Sequence, residues 1–68
     1  MSDRRDYYLA MAAASEHEAC ASEAEAEACR LDPLGDPEVK LRREQFYTDL
    51  AAGQRVRAEA WRELAERV

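Results

Sequence analysis

Isoleucine is absent from the sequence, threonine occurs once (Thr48) and valine three times. β-Branched side chains are the strand formers, so their scarcity excludes a sheet as the organising element. Glycine and proline occur twice each, too few for a chain built of turns. No stretch approaches 18 consecutive apolar residues, so no membrane-crossing helix is expected. Arg4 and Arg5 are followed by no apolar core of a leader, so no secretory signal is expected either. On that reading the chain is a complete small cytoplasmic protein, and Cys20 and Cys29 are free thiols in a reducing compartment. The two cysteines sit nine positions apart on one expected helix, roughly 13 Å along its axis, too far for an intrachain disulfide. Lysine appears once, as Lys40, against nine arginines. Together with abundant alanine, that usage suggests a G+C-rich bacterial or phage genome.

What remains is Ala, Glu and Arg, all strong helix formers. With 68 residues there is room for one domain. Chains of this size bury only about 60% of their unfolded surface, and small folds compensate with disulfides, metals, oligomerisation or very regular helix packing.

One cluster of breakers divides the chain: Asp32-Pro33-Leu34-Gly35-Asp36-Pro37. Pro33 disfavours the helical region at Asp32 and ends a first helix. Gly35 permits a positive φ. Asp36, Pro37 and Glu38 then read as an N-cap, a first-turn proline and a first-turn acid. The spacing predicts a helix over 3–31, capped by Ser2 or Asp3, a turn over 32–36 and a helix over 37–67. A connection this short makes the helices antiparallel neighbours. The fold expected over 1–68 is therefore all-α, an antiparallel two-helix hairpin.

Hydrophobic periodicity assigns the faces. On the first helix, Ala10, Ala13, Ala14, Cys20, Ala21, Ala24, Ala28 and Leu31 form the expected buried side. Ser15, Glu16, Glu18, Ser22, Glu23, Glu25 and Glu27 form the outer one. On the second helix, the expected inner stripe is Val39, Phe46, Leu50, Gly53, Ala60, Trp61, Leu64 and Val68, with Arg57 in its middle. Folding about the turn places Phe46 and Leu50 against Cys20, Ala21 and Ala24. It sets His17 opposite Gly53, and brings Trp61 beside Tyr7 and Tyr8. Met11, Leu41, Tyr47, Val56 and Ala65 are left over. Two long helices joined once enclose no three-dimensional core and are marginal alone, so dimerisation into a four-helix bundle is expected. Tyr7, Tyr8, Met11, Phe46, Leu50, Arg57, Trp61 and Leu64 are the expected interface residues.

Chemistry-bearing residues are few. His17 and Cys20, three apart on a helix, are the candidate metal or thiol pair. The bland alternative has His17 filling the gap beside Gly53 and Cys20 acting as a small hydrophobe. The Glu-x-x-His spacing of di-iron bundles is missing, and no oxyanion hole is expected mid-helix. No enzymatic activity, cofactor or metal is expected. Net charge is −5, with −6 in residues 1–36 and +1 in residues 37–68. An acidic first half disfavours nucleic acid and anionic membrane surfaces as partners. Glu16, Glu18, Glu23, Glu25 and Glu27 make either a solvated face or a phosphate mimic docking on a basic protein. The function expected is a non-enzymatic protein–protein interaction module, working as a homodimer or on a larger protein partner. The alternatives are a His17/Cys20 metal or thiol bundle, and an acidic inhibitor of a nucleic-acid-binding protein.

Overall fold

A computed structural model describes residues 3–68; the expected cap at Ser2 lies outside them. Two helices, α1 (Asp3–Leu31) and α2 (Pro37–Glu66), pack against each other as a hairpin. Asp3 and Asp6 in the first turn of α1 and Arg30 in its last turn oppose the helix dipole favourably at both ends.

The turn is held by two aspartates. The Leu34 N–H donates to Asp32 Oδ1 at 2.9 Å, an Asx-type bond that bends the chain directly after α1. Gly35 follows at φ +105°, a conformation that an L side chain resists. Asp36 is extended (φ −70°, ψ 129°) and accepts the Glu38 N–H at 2.8 Å and the Val39 N–H at 3.4 Å. These bonds satisfy two otherwise orphan donors of α2, and Pro37 occupies the position where no N–H is needed. Space is not the constraint at Gly35, since an added Cβ would come no closer than 3.9 Å to Asp32 Oδ2. Gly35→Ala is therefore expected to lower stability through backbone strain alone, by about 1–2 kcal/mol, read as a lower midpoint in urea with an unchanged slope.

Burial follows a seven-residue repeat. The buried or half-buried positions of α1 include Tyr8, Ala12, Ser15, Ala19, Ser22, Ala26 and Cys29. Those of α2 include Lys40, Glu44, Tyr47, Ala51, Gln54, Ala58, Trp61 and Ala65. Steps of three and four alternate throughout, the spacing of a two-stranded coiled-coil seam. Among the described residues, every one buried outright is alanine or serine: Ala12, Ser15, Ala19, Ser22 and Ala26 on α1, and Ala51, Ala58 and Ala65 on α2. The Ser22 hydroxyl donates across the seam to Gln54 Oε1 at 2.8 Å, so its burial leaves no lost hydrogen bond.

The helices thus meet on faces other than those hydropathy favours. Ala10, Ala13, Ala14, Cys20, Ala21, Ala24, Ala28 and Leu31 are all exposed, and Ser15 and Ser22 lie inside. On α2, Phe46, Leu50 and Leu64 remain 61%, 40% and 36% exposed, whereas Tyr47 and Ala65 line the seam. His17 and Arg57 are exposed rather than set into the seam. Nothing lies within 4 Å of the position a Cβ would take on Gly53, so His17 does not fill a gap there. The reason is steric. The molecule measures 53 × 13 × 9 Å; subtracting a helix's Cα diameter of about 4.6 Å leaves about 8 Å between axes, the short end of helix packing. Alanine and serine at the fully buried positions allow that approach, while the larger Tyr8, Tyr47 and Trp61 are only half-buried.

Candidate interaction face

Two flanks run beside the seam, and they differ in chemistry. On one, the long side chains of α1 and α2 pair across the gap. Arg55 grips Glu23 with both terminal nitrogens, at 2.8 and 2.7 Å. Arg62 donates to Glu16 at 2.8 Å and to Glu59 at 3.1 Å. Arg30 pairs with Glu27 on its own helix and with Glu44 opposite, the latter at 3.3 Å. Glu16, Glu23 and Arg30 are seven apart, as are Arg55 and Arg62; the ladder therefore repeats with the seam. An open groove on this flank runs between the Glu23–Arg55 pair and Ala26, Thr48, Ala51 and Ala52.

The bidentate pair has an electrostatic consequence. The Arg55 guanidinium, by hydrogen bonding and then by its charge, holds the Glu23 carboxyl below its ordinary value of 4.5. Glu23 in turn raises Arg55. A folded-state value depressed below the unfolded one contributes stability that is present above about pH 4.5 and lost as pH falls through the folded value. Glu23→Gln is accordingly expected to flatten the acid limb of a melting-temperature profile between pH 6 and 3. The difference should shrink in high salt, since the pair is exposed. An acid limb identical to that of the parent chain is the contrary result.

The other flank carries almost no ion pairing among the described residues and one continuous stripe of apolar side chains. Val39, Phe46, Gly53 and Ala60 recur every seven residues on α2, with Leu50, Arg57 and Leu64 in the adjoining column. The matching columns of α1 are Tyr7, Ala14, Ala21 and Ala28, beside Met11, Glu18 and Glu25. The two sets lie on the same side of the seam. Tyr47 donates to Glu25 across it, and that carboxylate pushes the Tyr47 hydroxyl above its ordinary value. Ala28, Cys29, Lys40 and Arg43 line one groove there. Leu9, Leu31, Leu34, Leu41, Val56 and Val68 are exposed elsewhere, off this stripe.

Aromatic rings close the open end. Tyr8 stacks on Trp61 (centroids 5.7 Å, 29°), Tyr7 meets it edge-on (5.9 Å, 84°), and the two tyrosines lie 5.8 Å apart. Such pairs contribute about 0.5–1.5 kcal/mol beyond area burial and pin the ends where helices fray. Trp61 Nε1 is buried without a hydrogen-bond acceptor among the described residues. Phe46 rests its ring on Tyr47 (5.2 Å, 79°), which props it outward from the seam.

The structure therefore gathers Tyr7, Tyr8 and Trp61 at one end. It sets Phe46, Leu50, Arg57 and Leu64 along one flank of α2, with Met11 half-buried opposite on α1. His17 and Cys20 are exposed on α1, and no group of three or more metal-type ligands forms among the described residues. Both thiols are free. Among the described residues, no helix is long and apolar enough to cross a membrane. No known protein family, curated protein or solved structure matches the chain.

Proposed function

We propose that this protein is a non-enzymatic protein–protein interaction module, an adaptor, regulator or assembly subunit, that self-associates through the apolar flank into a four-helix bundle. The observation carrying this reading is the placement of its hydrophobic side chains. Burying an alanine methyl stabilises by about 0.8 kcal/mol, and fully burying Phe or Leu by about 1.5–3 kcal/mol. The seam uses alanines, while Phe46, Leu50 and Leu64 stay on one outer flank. Part of the chain's apolar driving force, above all that of Phe46, is thus unspent in the hairpin.

Shape supports the same conclusion. The Cα radius of gyration is 15.7 Å, against about 11 Å for a compact domain of this length. Accessible area is 5120 Å², against about 4300 Å² for a compact monomer of this mass. The excess of about 800 Å² equals what one partner contributes to a standard interface. A reducing cytoplasmic setting, in which Cys20 and Cys29 stay as thiols, is part of the proposal.

The acidic-inhibitor alternative is weakened because Glu16, Glu23 and Glu27 are already neutralised by Arg62, Arg55 and Arg30. Sedimentation of the full chain at tens of micromolar is the test. A dimer mass, with a melting temperature that rises with concentration, is expected. A stable monomer whose melting is independent of concentration overturns the reading.

A further inference from the structure

We infer that the occupant of the apolar flank is a second copy of this chain in one particular orientation. The twofold axis runs along the hairpin, so both turns lie at the same end and each α1 packs on its partner's α2. This rests on the self-association reading above and adds to it the choice between two ways of laying one flat hairpin on another.

The two helices present unlike surfaces to this flank. Its α1 columns carry Glu18 and Glu25 among Ala14, Ala21 and Ala28, with Arg4, Tyr7 and Met11 near the open end. Its α2 columns carry Arg43 and Arg57 among Phe46, Leu50, Gly53, Ala60 and Leu64. Glu18 and Arg57 enter none of the ion pairs formed within the described chain. An axis along the hairpin sets the acidic columns of one copy against the basic columns of the other. An axis across it sets α2 on α2 and α1 on α1, so that arginines meet arginines and glutamates meet glutamates, which is unfavourable at close quarters. Ridges of large side chains also need recesses opposite them to reach interior packing density.

Register follows from the seam. Tyr8 meets Trp61 and Ser22 meets Gln54, so residues at one level have numbers adding to between 69 and 76. A twofold along the hairpin preserves level. It therefore sets Ala14 against the other copy's Ala60, Ala21 against Gly53, Ala28 against Phe46, and Glu18 against Arg57. Gly53 then has a use that the single hairpin does not supply. Nothing lies within 4 Å of its missing side chain, and a mid-helix glycine weakens the helix. Facing Ala21 it becomes the point of closest approach between copies.

Cross-linking tests the orientation. In a Cys20→Ser, Cys29→Ser background, full chains carrying Ala14→Cys and Ala60→Cys are mixed and oxidised. A disulfide joining the two different chains is expected, since small residues meet there at a separation a disulfide can span. The rival axis instead brings Ala14 near the other copy's Ala21. A link between Ala14→Cys and Ala21→Cys chains, or a dimer mass with no 14–60 link, overturns the orientation and leaves self-association standing. A monomer mass overturns both. Gly53→Leu gives an independent readout. It meets open space in the single hairpin and should leave helicity intact or raise it, while weakening dimerisation about tenfold or more. Unchanged or tighter association overturns the inference.

Discussion

Ala19→Leu is expected to unfold the hairpin, and Ala24→Leu to leave it standing. Ala19 and Ala58 are both 0% exposed, in a seam whose helix axes lie about 8 Å apart. Leucine adds three carbons where the opposing backbone leaves no room. The helices must then splay, which separates neighbouring layers of the seam and stretches the Glu16–Arg62 and Glu23–Arg55 bridges beside them. Overpacking a well-filled core costs typically about 1–3 kcal/mol, and a fold this small holds only about 3–5 kcal/mol in total. One such change consumes most of it. Ala24 is exposed on the outer side of α1, where leucine is nearly as good a helix former as alanine. Far-UV circular dichroism through a thermal melt separates the two. A large loss of melting temperature for Ala19→Leu beside near-parental behaviour for Ala24→Leu is the expected pattern. The reverse pattern would place the helix contact on the face that hydropathy alone selects.

That contrast marks what was legible in the sequence. The two helices and their turn were readable because breakers and caps act locally: Pro33, Gly35, Asp36 and Pro37 each do in the structure what their backbone chemistry demands. The aromatic cluster was readable too, because folding about that turn sets Trp61 level with Tyr7 and Tyr8. The stripe through Val39, Phe46, Leu50, Gly53 and Leu64 was recognisable as one face, but its partner was not. Hydropathy ranks large side chains as inside and serine as outside. A close-packed seam inverts that ranking, because steric approach and not side-chain transfer energy decides which faces meet. The signal for the seam was a strict interval of seven in Ala12, Ala19 and Ala26 and in Ala51, Ala58 and Ala65, echoed by Glu16 and Glu23 and by Arg55 and Arg62. Serine at 15 and 22 and glutamine at 54 hid it from any scale that scores polarity. His17 and Arg57 looked anomalous only because the wrong stripe was taken as buried; both are ordinary exposed side chains.

Leu50→Glu should abolish self-association while sparing the hairpin, and this separation of effects makes it the sharpest functional probe. In the single chain Leu50 is 40% exposed and outside the seam, so its replacement there should fall within the usual surface range of about ±0.5 kcal/mol. In the proposed bundle each copy contributes one Leu50 to the buried face. With 40% of each side chain left to cover, losing two such burials forfeits about 1–2.5 kcal/mol, before the cost of placing two carboxylates in an apolar contact. The apolar loss alone corresponds to weakening by about one to two orders of magnitude, and the two carboxylates add to it, enough to turn a micromolar dimer into a monomer at low micromolar concentration. Phe46→Glu should act in the same direction, with an added intrachain loss from its ring contact with Tyr47, which makes Leu50 the cleaner position. Sedimentation and concentration-dependent melting, measured together, give the discriminating pair. A monomer whose melting temperature no longer depends on concentration, and equals that of the parent chain extrapolated to low concentration, is expected. A dimer undiminished by Leu50→Glu would move the contact off this flank. An unfolded Leu50→Glu chain at all concentrations would show instead that the hairpin has no folded existence apart from its partner, as in obligate dimers. In that case a covalently linked tandem of two chains, one parental and one substituted, would recover the fold and isolate the loss at the face.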